Sequence, residues 1–191
     1  MIGGTKQEGI DVTGTNNKVV AGDDNSTTHI HPSKRTRLSI LFEDLKQKFN
    51  SNEITNEISE DLNKFTLNRD TVGLEQKLKD GQLDHLLDDA MWLKQEYAKK
   101  LTKYQFLEPA QEIHAFILSL VLEKFRTHIY PLIRSNASEA EVFQKVSSEI
   151  IDPIVRTIQE DGCSDIMGLT PTDITGMVYF LTGKCHIKWK A

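Results

Sequence analysis

The sequence predicts a mainly α-helical protein: a multi-helix bundle carrying a small N-terminal β-hairpin or meander. Three observations lead there. Residues 110–133, AQEIHAFILSLVLEKFRTHIYPLI, place Ile113, Phe116, Ile117, Leu118, Leu120, Val121, Leu122, Phe125 and Ile129 around most of a helix. Only Glu112, Ser119, Glu123 and Arg126 keep a polar strip, so this helix must be covered on several sides. Its unbroken apolar run is about ten residues against the roughly 20 that a bilayer needs, which makes it the centre of a bundle and not a membrane span. Second, Leu38, Leu41, Phe42, Leu45 and Phe49 repeat at helical spacing. Third, residues 1–33 are rich in Gly, Asn, Asp and Thr and have no helical period.

In that opening segment, Gly14 and Gly22 are each followed closely by two Asn or Asp residues. Gly adopts positive φ freely and Asn tolerates it, so both groups read as tight turns. Short β-prone pieces lie at residues 10–13, 18–21 and 26–30, as in a meander or the first rungs of a solenoid. With only Ile10, Val12, Val19, Val20 and Ile30 to bury, such a piece is not stable alone. It pairs with copies from other chains, docks on a partner, or stays a polar leader. Unpaired strand edges favour self-association.

The helices follow in order. One should span about residues 33–49, and a second should carry Ile54, Ile58, Leu62 and Phe65 on one side. Residues 72–80 suit a short helix ended by Gly81, and residues 82–104 a longer one facing inward with Leu83, Leu86, Leu87, Ala90, Tyr97 and Leu101. Pro109 suits the first turn of the central helix, and Pro131 should end or kink it. Ser138 with Glu141 forms a capping box for a helix burying Val142, Val146 and Ile150. Asp152-Pro153 reads as an interruption, with Ile154 to Glu160 a fresh segment set at an angle and stopped by Gly162. Thr170, Pro171 and Asp173 mark the start of the last helix, whose apolar face is Ile174, Met177, Val178 and Leu181. After Gly183, residues 185–189 alternate like a short strand, so His186, Ile187 and Trp189 either close the bundle or offer an edge to a partner.

At 191 residues the chain fits one α-helical domain, residues 34–191, with the appendage at 1–33. A net charge of -5 excludes coating nucleic acid through charge alone but leaves room for a local basic face. Candidate contacts are Lys34, Arg35 and Arg37 on the first helix, and Lys94, Lys99, Lys100 and Lys103 beside Tyr97 and Tyr104. Cys163 and Cys185 make no disulfide framework, and the start of the chain lacks the charged and apolar regions of a signal peptide. A cytoplasmic location follows as the expectation. His85 and Asp89 stand at i, i+4 with Asp88 beside them, and His29 and His31 alternate, but neither pair has a second ligand group at metal spacing. His114 and His128 read as partly buried, hydrogen-bonded histidines. With no Cys-His arrangement and no phosphate loop, the residues point to no catalytic group, cofactor or metal.

The stretch LTPTDITGMVYFLTGKCHIKW at 169–189 resembles the closing segment of helical C-terminal domains from bacterial ABC three-component conflict systems, which overlap the Lamassu type of anti-phage defence. VTGTNNKVVAGDDN at 12–25 is similar to short β-stranded leaders of several such proteins. The resemblance implies a non-catalytic association or accessory subunit. It would work beside an ATPase like the structural-maintenance (SMC) proteins and a small accessory subunit, while the homo-oligomer expected of it rests on the strand edges of residues 1–33. A nucleic-acid-sensing subunit using the basic helix faces is the alternative. In that family the helical domain is often fused to an effector such as a nuclease, whereas here only the β leader precedes the helices.

Overall fold

The computed structural model describes residues 35–68, 72–162 and 166–190. The chain divides after residue 34, and Arg35–Ala191 forms the second unit. Ile10, Val12, Val19, Val20, Ile30 and Lys34 lie outside the described residues, as do the β pieces assigned to them.

Helices α1 Arg37–Ser51, α2 Glu60–Thr66, α3 Leu74–Asp80, α4 Leu87–Tyr104, α5 Glu108–Lys124, α6 Tyr130–Arg134, α7 Glu139–Lys145, α8 Asp152–Asp161 and α9 Pro171–Gly183 follow one another, with no strand among the described residues. A 3-10 turn, Asp84–Leu86, leads into α4. A π turn at Phe125–Ile129 joins α5 to α6, and another at Val146–Ile151 joins α7 to α8, leaving seven continuous rods among the described residues. The predicted caps form: the Ser138 and Thr170 side chains each accept from the third helical N–H, and Glu141 and Asp173 reach back to complete both boxes. No described helix is long and apolar enough to cross a membrane.

The sequence expected Pro131 to end or kink the central helix and Asp152-Pro153 to interrupt another; at both places the helix continues through a π turn. Proline lacks an N–H, and its ring collides with the carbonyl four residues back, so a regular turn cannot pass through it. A π turn reaches one residue further and removes the conflict. Tyr130 N–H bonds to Phe125 O, Asp152 N–H bonds to Ser147 O, and each helix resumes with the proline in its first turn. Pro131 therefore does not end the central rod. Asp152, at φ -60° and ψ -45°, is helical and caps no fresh segment. The two π turns pack on each other.

Two further expectations are corrected. The second helix is only Glu60–Thr66, and Ile54 and Ile58 are exposed ahead of it. Ser59 accepts from Leu62 N–H and starts that helix too late for them. The end of the chain is not a strand. Cys185 takes a φ of 68° and turns the backbone after α9, and Ile187 N–H returns to Leu181 O.

The core is built on two layers of contact. α9 lies most extensively against α4, while α1 and α2 cover α5. Along α9 every residue from Asp173 to Thr182 except Thr175 is buried, so this helix, and not the central rod alone, is enclosed on nearly all sides. Gly176 makes that possible: a Cβ there would stand 2.5 Å from Leu93 O and 2.8 Å from Tyr97 Cβ. Since Leu93 O is backbone, the helices themselves would have to separate. Gly176→Ala should destabilise the fold by about 2–3 kcal/mol, at the upper end for an overpacked core. Urea unfolding checks this, and an unchanged midpoint would show that the α4–α9 spacing is adjustable.

Candidate functional site

Four of the predicted basic residues are on α4, and the structure separates them. Lys100 turns inward: its Nζ lies 2.6 Å from Asp173 Oδ2 and donates to Gly168 O at 2.8 Å. The same carboxylate oxygen accepts from Thr170 N at 2.8 Å and Thr170 Oγ1 at 2.7 Å. Lys100 thus braces the first turn of α9 and is not a surface cation. Lys94 is half-buried against the end of α9, where a Cβ on Gly183 would come within 2.9 Å of its Nζ. Burial lowers its pKa, with Lys184 and Lys77 adding to the effect. Lys99 and Lys103 remain outside, the first 2.6 Å from Glu96 and the second over the Tyr104 ring. On α1, Arg37 pairs with Glu112 at 3.4 Å, and Arg35, just ahead of the helix, pairs with Glu43 at 3.0 Å. No shared basic face results from these residues.

Behind Lys100 lies the most perturbed chemistry. His114 and Tyr97 are fully buried, and Tyr97 Oη stands 3.3 Å from His114 Nδ1. Whichever ring nitrogen holds the proton, Nε2 meets no partner among the described residues. Burial pushes the His114 pKa down from 6.5 to about 3, against a smaller upward pull from Asp173 and with a further lowering by Lys100. Burial likewise drives the Tyr97 hydroxyl well up. A neutral imidazole and a neutral phenol packed between α4, α5 and α9 hold these helices in register. His128, expected to be partly buried, is exposed.

The terminal segment closes the bundle and offers no edge. His186, Ile187 and Trp189 are all buried, so of the two readings the sequence offered, closure of the bundle or an edge for a partner, the burial fits closure. Trp189 stacks on Phe143 at 5.5 Å, meets Phe125 edge-on at 5.0 Å and donates from Nε1 to Thr182 Oγ1 at 3.1 Å. Gly81 admits it, since a Cβ at that position would sit 2.6 Å from Trp189 Cβ. Lys77, itself buried, donates to Thr182 O at 2.5 Å and satisfies the end of α9. Beside the indole is a cleft of about 420 Å³ reached by Asp80, Asn136 and Glu139. His85 Nε2 lies 3.0 Å from that Glu139 carboxylate, and among the described residues no three His, Cys, Asp or Glu side chains gather as a metal would require.

One buried amide, which the sequence did not single out, shapes the opposite end of the central rod. Gln111 Oε1 accepts from Ser59 N at 2.6 Å, and its Nε2 donates to Glu57 O at 2.8 Å and Gln105 O at 2.6 Å. Thr55 N also donates to Phe106 O at 2.8 Å. These bonds fix the segment before α2 against the turn between α4 and α5. They leave Phe49, Ile54, Ile58 and Phe106 exposed around that end, among Glu53, Glu57 and Glu108.

The family model for C-terminal domain 9 of the ABC-three component (ABC-3C) systems, CTD9, matches residues 73–189, more than half of the chain. The chain belongs to this family. No curated protein and no solved structure matches it. The CTD9 region takes in the α4–α9 contact at Gly176, the Lys100–Asp173 brace and the Gly81–Trp189 closure. Helices α1 and α2, with the exposed Phe49, Ile54 and Ile58, precede the matched residues.

For this CTD9 protein, His114 sets a pH dependence whose sign is fixed. Above pH 6.5 the imidazole is neutral in both folded and unfolded chains. Below it the unfolded chain takes up a proton that the folded one refuses until about pH 3. Stability should therefore fall on acidification across that window, at up to about 1.4 kcal/mol per pH unit from this group. His114→Gln, which keeps an acceptor for Tyr97, should flatten the slope between pH 6 and 4 by about one proton. Urea titrations at several pH values measure it, and parallel slopes for both proteins would refute the assignment.

Proposed function

We propose that this CTD9 protein is a non-catalytic assembly or accessory subunit of a bacterial anti-phage defence complex of the Lamassu type, working in the cytoplasm beside an SMC-like ABC ATPase. Membership in a three-component family carries the reading, because such a domain implies other subunits of the same system. The exposed end of the bundle supports it. Phe49, Ile54, Ile58 and Phe106 are large exposed apolar groups, and beside them Lys48 already bridges Glu53 and Glu108. A protein subunit with an apolar centre fits that chemistry. Self-association is assigned to the N-terminal residues Ile10, Val12, Val19, Val20 and Ile30, whose β-prone pattern has too little to bury within one chain.

Two measurements test the reading. Light scattering after size exclusion should give a multiple of the chain mass for the whole protein and a smaller multiple once residues 1–32 are removed. An unchanged mass after truncation would remove the self-association claim. Replacing Ile54 and Phe106 together by Asp should leave the melting temperature nearly unaltered, since both side chains are exposed, while co-purification of the co-expressed system subunits falls at least tenfold. Full retention of those subunits would place the partner elsewhere.

A further inference from the structure

A groove of about 450 Å³ lies along the last turns of the central rod, lined by Arg126, Tyr130, Pro131, Arg134 and Ser135. Several cations of the described surface meet a carboxylate, as Lys48, Lys64, Lys79, Lys145 and Lys190 do, while others stand unpaired. Arg126 and Arg134 are exposed, and neither forms an ion pair or hydrogen bond with any described residue. No carboxylate lines the groove. In a chain of net charge -5, an uncompensated pair of arginines facing one hollow is a local inversion of the surface charge.

Between them stands Tyr130. Its ring is fixed edge-on to Phe125 at 5.3 Å, and its hydroxyl oxygen accepts from Lys188 N at 2.9 Å. The hydroxyl hydrogen has no acceptor among the described residues, so it remains a donor. The residues follow at i, i+4 and i+8, the first of them inside the π turn Phe125–Ile129. Eight residues at a 1.5 Å rise separate the two arginine backbones by about 12 Å. That spacing suits a ligand whose charge repeats along its length better than a lone anion. Two cations tracking a backbone, with an aromatic group between them, are the elements of a single-strand platform.

We propose that the Arg126–Tyr130–Arg134 groove binds single-stranded nucleic acid, the arginines taking successive phosphodiesters and Tyr130 donating to the strand between them. The site is separate from the apolar end assigned to a protein partner, and it stands whether or not that assignment does.

Fluorescence anisotropy of the full chain with a labelled twelve-nucleotide oligo-dT, across a salt series, tests it. Arg126→Ala with Arg134→Ala should weaken binding at low salt at least tenfold. It should also reduce the magnitude of the log–log salt slope by about 1.4, for two phosphates on a single strand. Lys64→Ala with Lys79→Ala removes the same charge from helices elsewhere and should shift affinity less than twofold. Circular dichroism melting should be unaltered in both variants. The proposal is overturned if the strand does not bind at low salt or if both double variants lose affinity equally. It also fails if inorganic pyrophosphate or poly-glutamate displaces the strand at matched charge concentration, since either would mark a general anion site.

Discussion

The fold depends on the meeting of α4 and α9 at Gly176, where backbone stands in the space a Cβ would need. From that contact much of the interior follows. Because α9 is covered nearly all round, its polar ends have to be satisfied from inside the protein. Lys100 from α4 braces its first turn through Asp173, and Lys77 from α3 takes the carbonyl of Thr182 near its last. The indole of Trp189 then lies on Thr182 and covers the same end. A helix apolar at most positions could be buried anywhere; these two lysines and the glycine specify where.

The prolines show how a helix can be kept whole when its sequence argues for a break. Pro131 and Pro153 stand on different helical rods, and each is preceded by a turn one residue wider than α. Breaking the rod would expose carbonyls and N–H groups in the middle of the core, at a cost of roughly 1–3 kcal/mol for each one left unpaired. Widening a turn retains most of the bonds. It also rotates everything beyond it relative to a regular helix, and that rotation accompanies the meeting of Arg126, Tyr130 and Arg134 around one groove.

Much of the architecture was legible because its signals are local. Ser138 with Glu141 and Thr170 with Asp173 announce helix starts within four residues, and both boxes form. The apolar period of residues 38–45 likewise becomes the buried face of α1. What escaped is set by tertiary partners. Nothing in the order of Lys94, Lys99, Lys100 and Lys103 says that the first and third turn inward, because that depends on where α9 lies. Ile54 and Ile58 continued a plausible helical face, but Gln111, dozens of residues away in the chain, ties their segment into a different path. Alternation at residues 185–189 suggested a strand, whereas Gly81 opens a socket that takes Trp189 singly. The Arg126 and Arg134 pair was visible as residue types, but its freedom from carboxylates is a property of the folded surface.

The two surfaces assigned here share one helical rod, residues 108–134, and this bears on how they could act together. Gln111, which organises the apolar end, and Tyr130, at the centre of the arginine groove, are nineteen residues apart, or about 28 Å along the axis. Direct electrostatic influence over that distance is screened at physiological salt, where the Debye length is about 8 Å. Any coupling between a bound strand and a bound subunit must then pass through packing. The π turn at Phe125–Ile129 is the one irregular stretch of that path, and it rests on the second π turn as well as on Trp189 through Phe125. Phe125 and Ile129 are completely buried there, so a change of register would require several aromatic contacts to move together. The rod as built therefore favours two independent sites on a stiff spacer, with the domain fixing their separation and not relaying a signal between them.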